Sequence, residues 1–68
     1  MDQSVCVIGC GFVGVSLLKC FSRVYKCIGF DISQKRIEYL MAYEKMKNVI
    51  YTTNFNNAKK YKLFIISV

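Results

Sequence analysis

Three glycines and one aspartate carry the most specific chemistry in this chain of 68 residues. Gly9, Gly11 and Gly14 form a Gly-x-Gly-x-x-Gly run directly after the apolar stretch Val5-Cys6-Val7-Ile8. Asp31 lies 17 residues beyond Gly14 and closes a second apolar stretch, Cys27-Ile28-Gly29-Phe30. Between a strand and a helix, the first glycine permits a tight turn and the second lets the backbone approach a pyrophosphate with no Cβ in the way. The third lets the helix lie close on the sheet. The helix N-terminus then faces the anion with unpaired N–H groups and the positive end of its dipole. An acid at the end of the next strand accepts hydrogen bonds from ribose hydroxyls and repels a 2′-phosphate, so NAD is expected over NADP. Arg36, one turn into the following segment, lies along an adenine or pairs with a 2′-phosphate. Outside this context Asp31 reads as a helix-capping acid and Arg36 as a solvated helix residue.

The other reactive side chains do not assemble into a catalytic set. Cys10, Phe12 and Val13 occupy the variable positions of the motif, which pack rather than react. A helix N-terminus lowers a thiol pKa, yet the sequence places no base beside Cys10. The four cysteines, Cys6, Cys10, Cys20 and Cys27, match no zinc spacing, and the chain has no histidine. Cys6, Cys20 and Cys27 are therefore expected as small buried hydrophobes. No paired carboxylates and no Ser/His/Asp set occur, so catalytic and metal-binding residues are both expected to be none.

The elements that must position the motif follow from apolar spacing. Ser4–Ile8 is a continuous β-branched run ending at glycine, as in a strand buried on both faces of a parallel sheet. Val13, Leu17, Phe21 and Val24, with Leu18 and Cys20 beside them, predict a helix packed on that sheet. Cys27–Phe30 is a second buried strand, in which Gly29 lies under close-packed backbone or marks a bulge. Ser33 is a plausible N-cap for a helix running to about Lys47, with Ile37, Leu40, Met41 and Met46 on its inner side and Tyr39 and Tyr43 flanking it. Val49–Thr52 predicts a third strand. Thr53 or Asn54 caps a short helical turn running through Asn57 to Tyr61, and Leu63–Val68 predicts a fourth strand. The order β-α-β-α-β-(short α)-β argues an α/β fold, a Rossmann-type parallel sheet that is incomplete, with strands in the order 3-2-1-4. Strand four is apolar enough for an interior place, so its free edge invites association or aggregation.

Composition bounds the rest. A chain of 68 residues makes at most one domain and buries only about 60% of its unfolded surface, so its core is marginal. Hydrophobic residues at 54% and charged residues at 21% exclude a disordered segment. No apolar run reaches the roughly 18 residues of a membrane span, and Asp2 stands where a signal peptide carries positive charge, so the expected compartment is the cytosol. A net charge of +6 favours anionic ligands without choosing among them. Lys45 and Lys47, late in the second predicted helix, and Lys59, Lys60 and Lys62, around the end of the third, read as solvated helix ends rather than as a nucleic-acid patch.

Several stretches together resemble one enzyme family. They are Val5 through Gly14, Ile28 through Ile37, Thr52-Thr53-Asn54, and Leu63 through Val68. The sequence is similar to the N-terminal NAD-binding domain of the UDP-glucose/GDP-mannose 6-dehydrogenases over essentially its whole length. Asp31 followed five residues later by Arg36 discriminates better than the glycines, which many dehydrogenases share. The resemblance implies that Gly9, Cys10, Gly11, Phe12, Val13 and Gly14 form the turn that binds the NAD pyrophosphate. It further implies that Asp31 and Arg36 bind the adenosine end and that Val68 lies in the cofactor site. The family oxidises the C6 alcohol of a nucleotide sugar to a carboxylate in two NAD-dependent steps.

The chain also departs from the family. Family members carry a helical dimer core and a sugar-binding domain with the catalytic cysteine, lysine and asparagine, and none of these falls within the 68 residues. A Pro-Thr-Pro segment usually follows strand four, and many members have a Glu-Pro-Gly loop where Lys47-Asn48 leads straight into Val49. Residues 1–68 are therefore expected to be a partial dinucleotide-binding domain, silent in catalysis and weak in cofactor binding by itself. It would meet a nucleotide sugar only when the missing domain is supplied. The alternatives are a fragment of another NAD(P)-dependent dehydrogenase, such as a hydroxyacyl-CoA or 6-phosphogluconate enzyme, and a non-enzymatic nucleotide-binding module pairing through its sheet edge. Nucleic-acid binding ranks below these.

Overall fold

A computed structural model describes residues 3–67. Its elements are β1 (Ser4–Ile8), α1 (Phe12–Phe21), β2 (Lys26–Phe30), α2 (Gln34–Tyr43), β3 (Val49–Thr52), a 3-10 turn (Phe55–Asn57) and β4 (Leu63–Ile66). The four strands are all parallel and stand in the order β3-β2-β1-β4, the expected Rossmann-like α/β arrangement. Two crossovers, for which the right hand is the general rule, carry the chain outward from β1 to β2 to β3, and both helices pack into one core cluster. The third connection returns past β1, so the strand order reverses between β1 and β4. The carboxyl ends of these two strands flank the crevice where such sheets bind ligands.

Alternation along the strands sorts the core into two unequal layers. On the helix face Val5, Val7, Cys27 and Tyr51 pack with Val15, Leu18, Ile37, Leu40 and Cys10. On the other face Cys6 and Ile28 are covered by Ala58, with Ile8, Phe30 and Tyr61 around them. Phe55 extends that thin cover, meeting Phe30 and Phe64 edge-on at ring distances of 5.5 and 6.1 Å. The register Val7–Gly29–Tyr51 runs through without a bulge. A Cβ on Gly29 would meet the Cys10, Leu18 and Tyr51 side chains at 2.8–3.0 Å, so side chains rather than backbone crowd it.

The helices depart from the expected stripes. In α1 the buried residues are Gly14, Val15 and Leu18; Leu17 and Phe21 are half-buried, while Val13, Cys20 and Val24 are exposed. Because Gly14 meets the turn closely, the face centred on Gly14 and Leu18 docks, about one residue's rotation (roughly 100°) from the predicted stripe. Cys20 is accordingly an exposed thiol, contrary to its reading as a buried hydrophobe.

The second helix stops at Tyr43 rather than about Lys47. The Tyr51 hydroxyl donates to the Glu44 carbonyl at 2.7 Å, and Asn48 turns the chain into β3 with φ 69°. Lys45 and Lys47 thus follow α2 instead of lying in it. Ile37 and Leu40 are buried as expected and Met46 packs against the core, but Met41 points outward. Asn54 caps the 3-10 turn, which ends at Asn57 instead of continuing to Tyr61. β4 pairs with β1 and leaves Leu63, Phe64 and Ile66 exposed along the predicted apolar edge. The predicted end of that strand, Val68, lies outside the described residues.

Leu18 is fully buried at the centre of the helix layer. Leu18→Ala is expected to cost about 2–5 kcal/mol, a large share of the roughly 3–10 kcal/mol available to a chain of this size. Urea unfolding followed by far-UV circular dichroism checks this: the midpoint should fall close to zero denaturant, and an unchanged midpoint would contradict the packing.

Candidate functional site

Backbone crowding explains two of the three motif glycines. Gly9 has φ +95°, a conformation that L side chains rarely adopt, and a Cβ there would strike the Ser67 carbonyl at the end of β4. A Cβ on Gly14 would strike the Gly9 carbonyl, so the helix is held close to the turn as well as to the sheet. Hydrogen bonds on both sides hold this junction. Gly9 N–H donates to the Phe30 carbonyl at 2.8 Å, and Ser67 N–H donates to the Ile8 carbonyl at 2.7 Å.

Gly11 differs, because no atom lies within 4 Å of where its Cβ would stand. It is the N-cap of α1, and it offers no side-chain cap; the first turn contains no acid. The start of this helix is therefore an open concentration of N–H groups, suited to an anion. Phe12 is 91% exposed and Val13 60% exposed, so these two variable positions do not pack as expected. They project from the outer side of the first turn while Gly14 and Val15 face the sheet.

Asp31 and Arg36 meet the turn at one residue. The Asp31 Oδ2 atom accepts from Cys10 N–H at 2.9 Å, and Oδ1 accepts from Ser33 N–H at 2.9 Å. Arg36 Nε donates to the Cys10 carbonyl at 2.7 Å. Asp31 thus does local turn work with one oxygen and grips the glycine loop with the other. Each oxygen keeps acceptor capacity for a further donor. Arg36 is no freely solvated helix residue; its guanidinium crosses back to the loop, with Cζ 5.3 Å from the centre of the Tyr39 ring. Ser33 caps α2 as expected, accepting from Arg36 N–H at 3.1 Å. Gly9 through Gly14, Asp31 and Arg36 are therefore brought together, whereas Val68 lies outside the described residues.

The Cys10 side chain points away from this crevice. Its Sγ lies 3.5 Å from the Phe30 carbonyl, and burial, reinforced by the Asp31 charge and Cys6, pushes the thiol up to about 12 against the opposing effect of Arg36. Cys10 is fully buried and packs in the helix layer of the core. Tyr39, under Arg36, is a contact that the sequence reading missed; the i, i+3 spacing of Arg36 and Tyr39 was its signal.

Comparison with known proteins adds one relationship. Protein CapL of Staphylococcus aureus is 34% identical over 79 aligned positions, which cover 100% of this chain and 19% of CapL. The chain is homologous to that part of CapL. It spans about a fifth of the length of CapL. The alignment has eleven more positions than the 68 residues of the chain, so CapL is longer within the matched stretch. No family model matches the chain, and no solved structure matches it.

The residues at the turn fit the phosphate and ribose of a dinucleotide. Gly11 leaves its backbone open, the α1 N-terminus is uncapped by any side chain, and Asp31 is fixed beside the loop. A cleft of about 410 Å³ lined by Met41, Lys45, Val49, Ile50 and Tyr51 lies elsewhere, at the β3 side, and shares none of these groups. Among the described residues no group of three or more side chains is placed to hold a metal ion, and no helix is long and apolar enough to cross a membrane.

Two outcomes follow from the thiols and phenols. Under native conditions at pH 8, alkylation read by mass spectrometry should modify Cys20 first, with Cys6, Cys10 and Cys27 protected until unfolding; rapid labelling of Cys10 would contradict its burial. Burial also raises Cys6, Cys27 and Tyr61, and it lifts Tyr51 to about 12. The unfolded chain loses these protons near the ordinary values of 9.0 and 10.0, so above them the folded state binds more protons. Stability is fully present below about pH 9 and declines as pH rises toward 12. Urea midpoints between pH 7 and 11 should fall only at the alkaline end.

Proposed function

We propose that this chain binds NAD at the glycine turn, as the amino-terminal part of a nucleotide-sugar 6-dehydrogenase of the UDP-glucose/GDP-mannose type. The observation that carries the proposal is the grip of Asp31 on Cys10 N–H beside the uncapped start of α1. It ties the Asp31 carboxylate to the glycine turn, which supports reading the one as ribose acceptor and the other as pyrophosphate cradle. The N–H groups of the first helical turn receive the pyrophosphate, and Gly11 lets it approach the backbone. Asp31 accepts from the adenosine ribose with the lone pairs that Cys10 and Ser33 leave free, and its charge disfavours a 2′-phosphate. Arg36, tied to the Cys10 carbonyl, borders the adenine.

NAD, when bound, supplies a hydride acceptor for an alcohol carbon. No residue of this chain is assigned the chemistry on the sugar; its part is to bind and orient the adenosine side of the cofactor. On this reading residues 1–68 are one portion of a dinucleotide-binding domain, and the nucleotide sugar meets residues beyond it. The family motifs running from Val5 to Val68 support the reading.

Calorimetric titration of the 68-residue chain with NAD, NADP, ADP and AMP tests the proposal. NAD should bind weakly and better than NADP, with ADP and AMP competing nearly as well because the contacts lie on the adenosine side. Asp31→Asn keeps an acceptor for Cys10 N–H while removing the charge, and it should narrow the NAD-over-NADP preference roughly tenfold. An unchanged preference removes Asp31 from the ribose site.

A further inference from the structure

Arg36 is held from two sides. Its Nε donates to the Cys10 carbonyl at 2.7 Å, and its Cζ lies 5.3 Å from the centre of the Tyr39 ring. Tyr39 in turn packs against Tyr43, with ring centres 5.0 Å apart and planes tilted by 45°. Arg36, Tyr39 and Tyr43 follow one another at i, i+3 and i+7, a single face of α2. That face is not the core face, which carries Ile37 and Leu40. Tyr39 is 48% exposed, so its ring gains little from burial; what it contacts is the guanidinium on one side and Tyr43 on the other. Among the described residues no carboxylate forms an ion pair with Arg36, and its terminal nitrogens stay available at the rim of the glycine turn.

We infer that Tyr39 is a positioning residue for the nucleotide site: it braces the Arg36 guanidinium against the Cys10 carbonyl, so that a planar cation stands ready for the purine base of an adenine nucleotide. The inference rests on the nucleotide-binding reading above and adds the residue that fixes Arg36. A guanidinium on a long side chain has many rotamers, and ordering it only on binding would cost affinity. The Nε hydrogen bond fixes the root of the group, and the aromatic face beneath it restricts the plane. Any π face serves this purpose, because the attraction is to the ring quadrupole and the Tyr39 hydroxyl has no part in it.

The full chain and its Tyr39→Leu and Tyr39→Phe variants, each checked by circular dichroism for wild-type helix content, are titrated with AMP and separately with inorganic pyrophosphate. Tyr39→Leu should weaken AMP by about threefold to tenfold and leave pyrophosphate unchanged, while Tyr39→Phe should restore wild-type AMP affinity. Equal loss for both ligands, no loss for AMP, or failure of Tyr39→Phe to restore it overturns the positioning role. If the wild-type chain binds neither AMP nor pyrophosphate, the nucleotide reading itself is overturned, an outcome distinct from a silent Tyr39.

Discussion

Three segments of backbone converge at Gly9 with no room for a side chain, and the rest of the fold is arranged around that contact. The Ser67 carbonyl, just after β4, and the Gly9 carbonyl beneath Gly14 occupy the positions where Cβ atoms would stand. β4, the turn and the start of α1 therefore lock together by shape before any ligand is considered. Once α1 is fixed this closely, Leu18 falls onto Val5, Val7 and Cys27, and Gly29 makes space for Leu18 and Cys10 in the next strand. The packing that stabilises the domain and the geometry that shapes the crevice thus share one origin. A methyl group at Gly9 would disturb both.

The same junction explains why Cys10, Asp31 and Arg36 are joined. Cys10 follows Gly9 in the turn and presents its N–H to Asp31 and its carbonyl to Arg36. Its thiol fills the core behind them, where burial keeps it protonated. One residue therefore couples the glycine loop, the end of β2 and the first turn of α2. Preorganisation of this kind lowers the ordering cost of binding. It matters in a chain whose second sheet face is covered, among the described residues, by Ala58, Tyr61 and Phe55 and whose outer strand exposes Phe64 and Ile66. Stability is concentrated in the helix layer, beside the crevice.

Much of this was legible in the sequence. The strands announced themselves as short β-branched runs, and chirality left few alternatives to the order β3-β2-β1-β4. The helix faces were harder. Val13, Leu17, Phe21 and Val24 form a tidy apolar line, but a glycine weighs nothing in a hydrophobic pattern, and it is Gly14 that decides which face docks. The end of α2 was hidden for a different reason: the Tyr51 hydroxyl that satisfies the Glu44 carbonyl comes from a strand not yet formed when the helix is read locally. At the site, the identities of Asp31 and Arg36 could be read, but their bonds to Cys10 span 21 and 26 residues and exist only in the folded chain.

The net charge of +6 invites an electrostatic account of anion binding that the fold does not support. Lys26 opens β2, Lys62 precedes β4, and Lys45 and Lys47 precede β3, all at the amino ends of the strands and away from the glycine turn. Lys19 stands in the last turn of α1 and pairs with Glu44 at 3.4 Å. At the turn Arg36 is bonded to the Cys10 carbonyl and Asp31 to the Cys10 N–H. At about 0.1 M ionic strength exposed charges more than about 10 Å apart are largely screened from one another, which weakens distant lysines most. On the nucleotide-binding proposal, the attraction for a phosphate comes from the uncapped N–H groups of α1, beside an Arg36 held by Cys10 and Tyr39. On that proposal affinity in this crevice is a matter of oriented backbone dipoles and one braced guanidinium, and the excess of lysine bears on encounter instead.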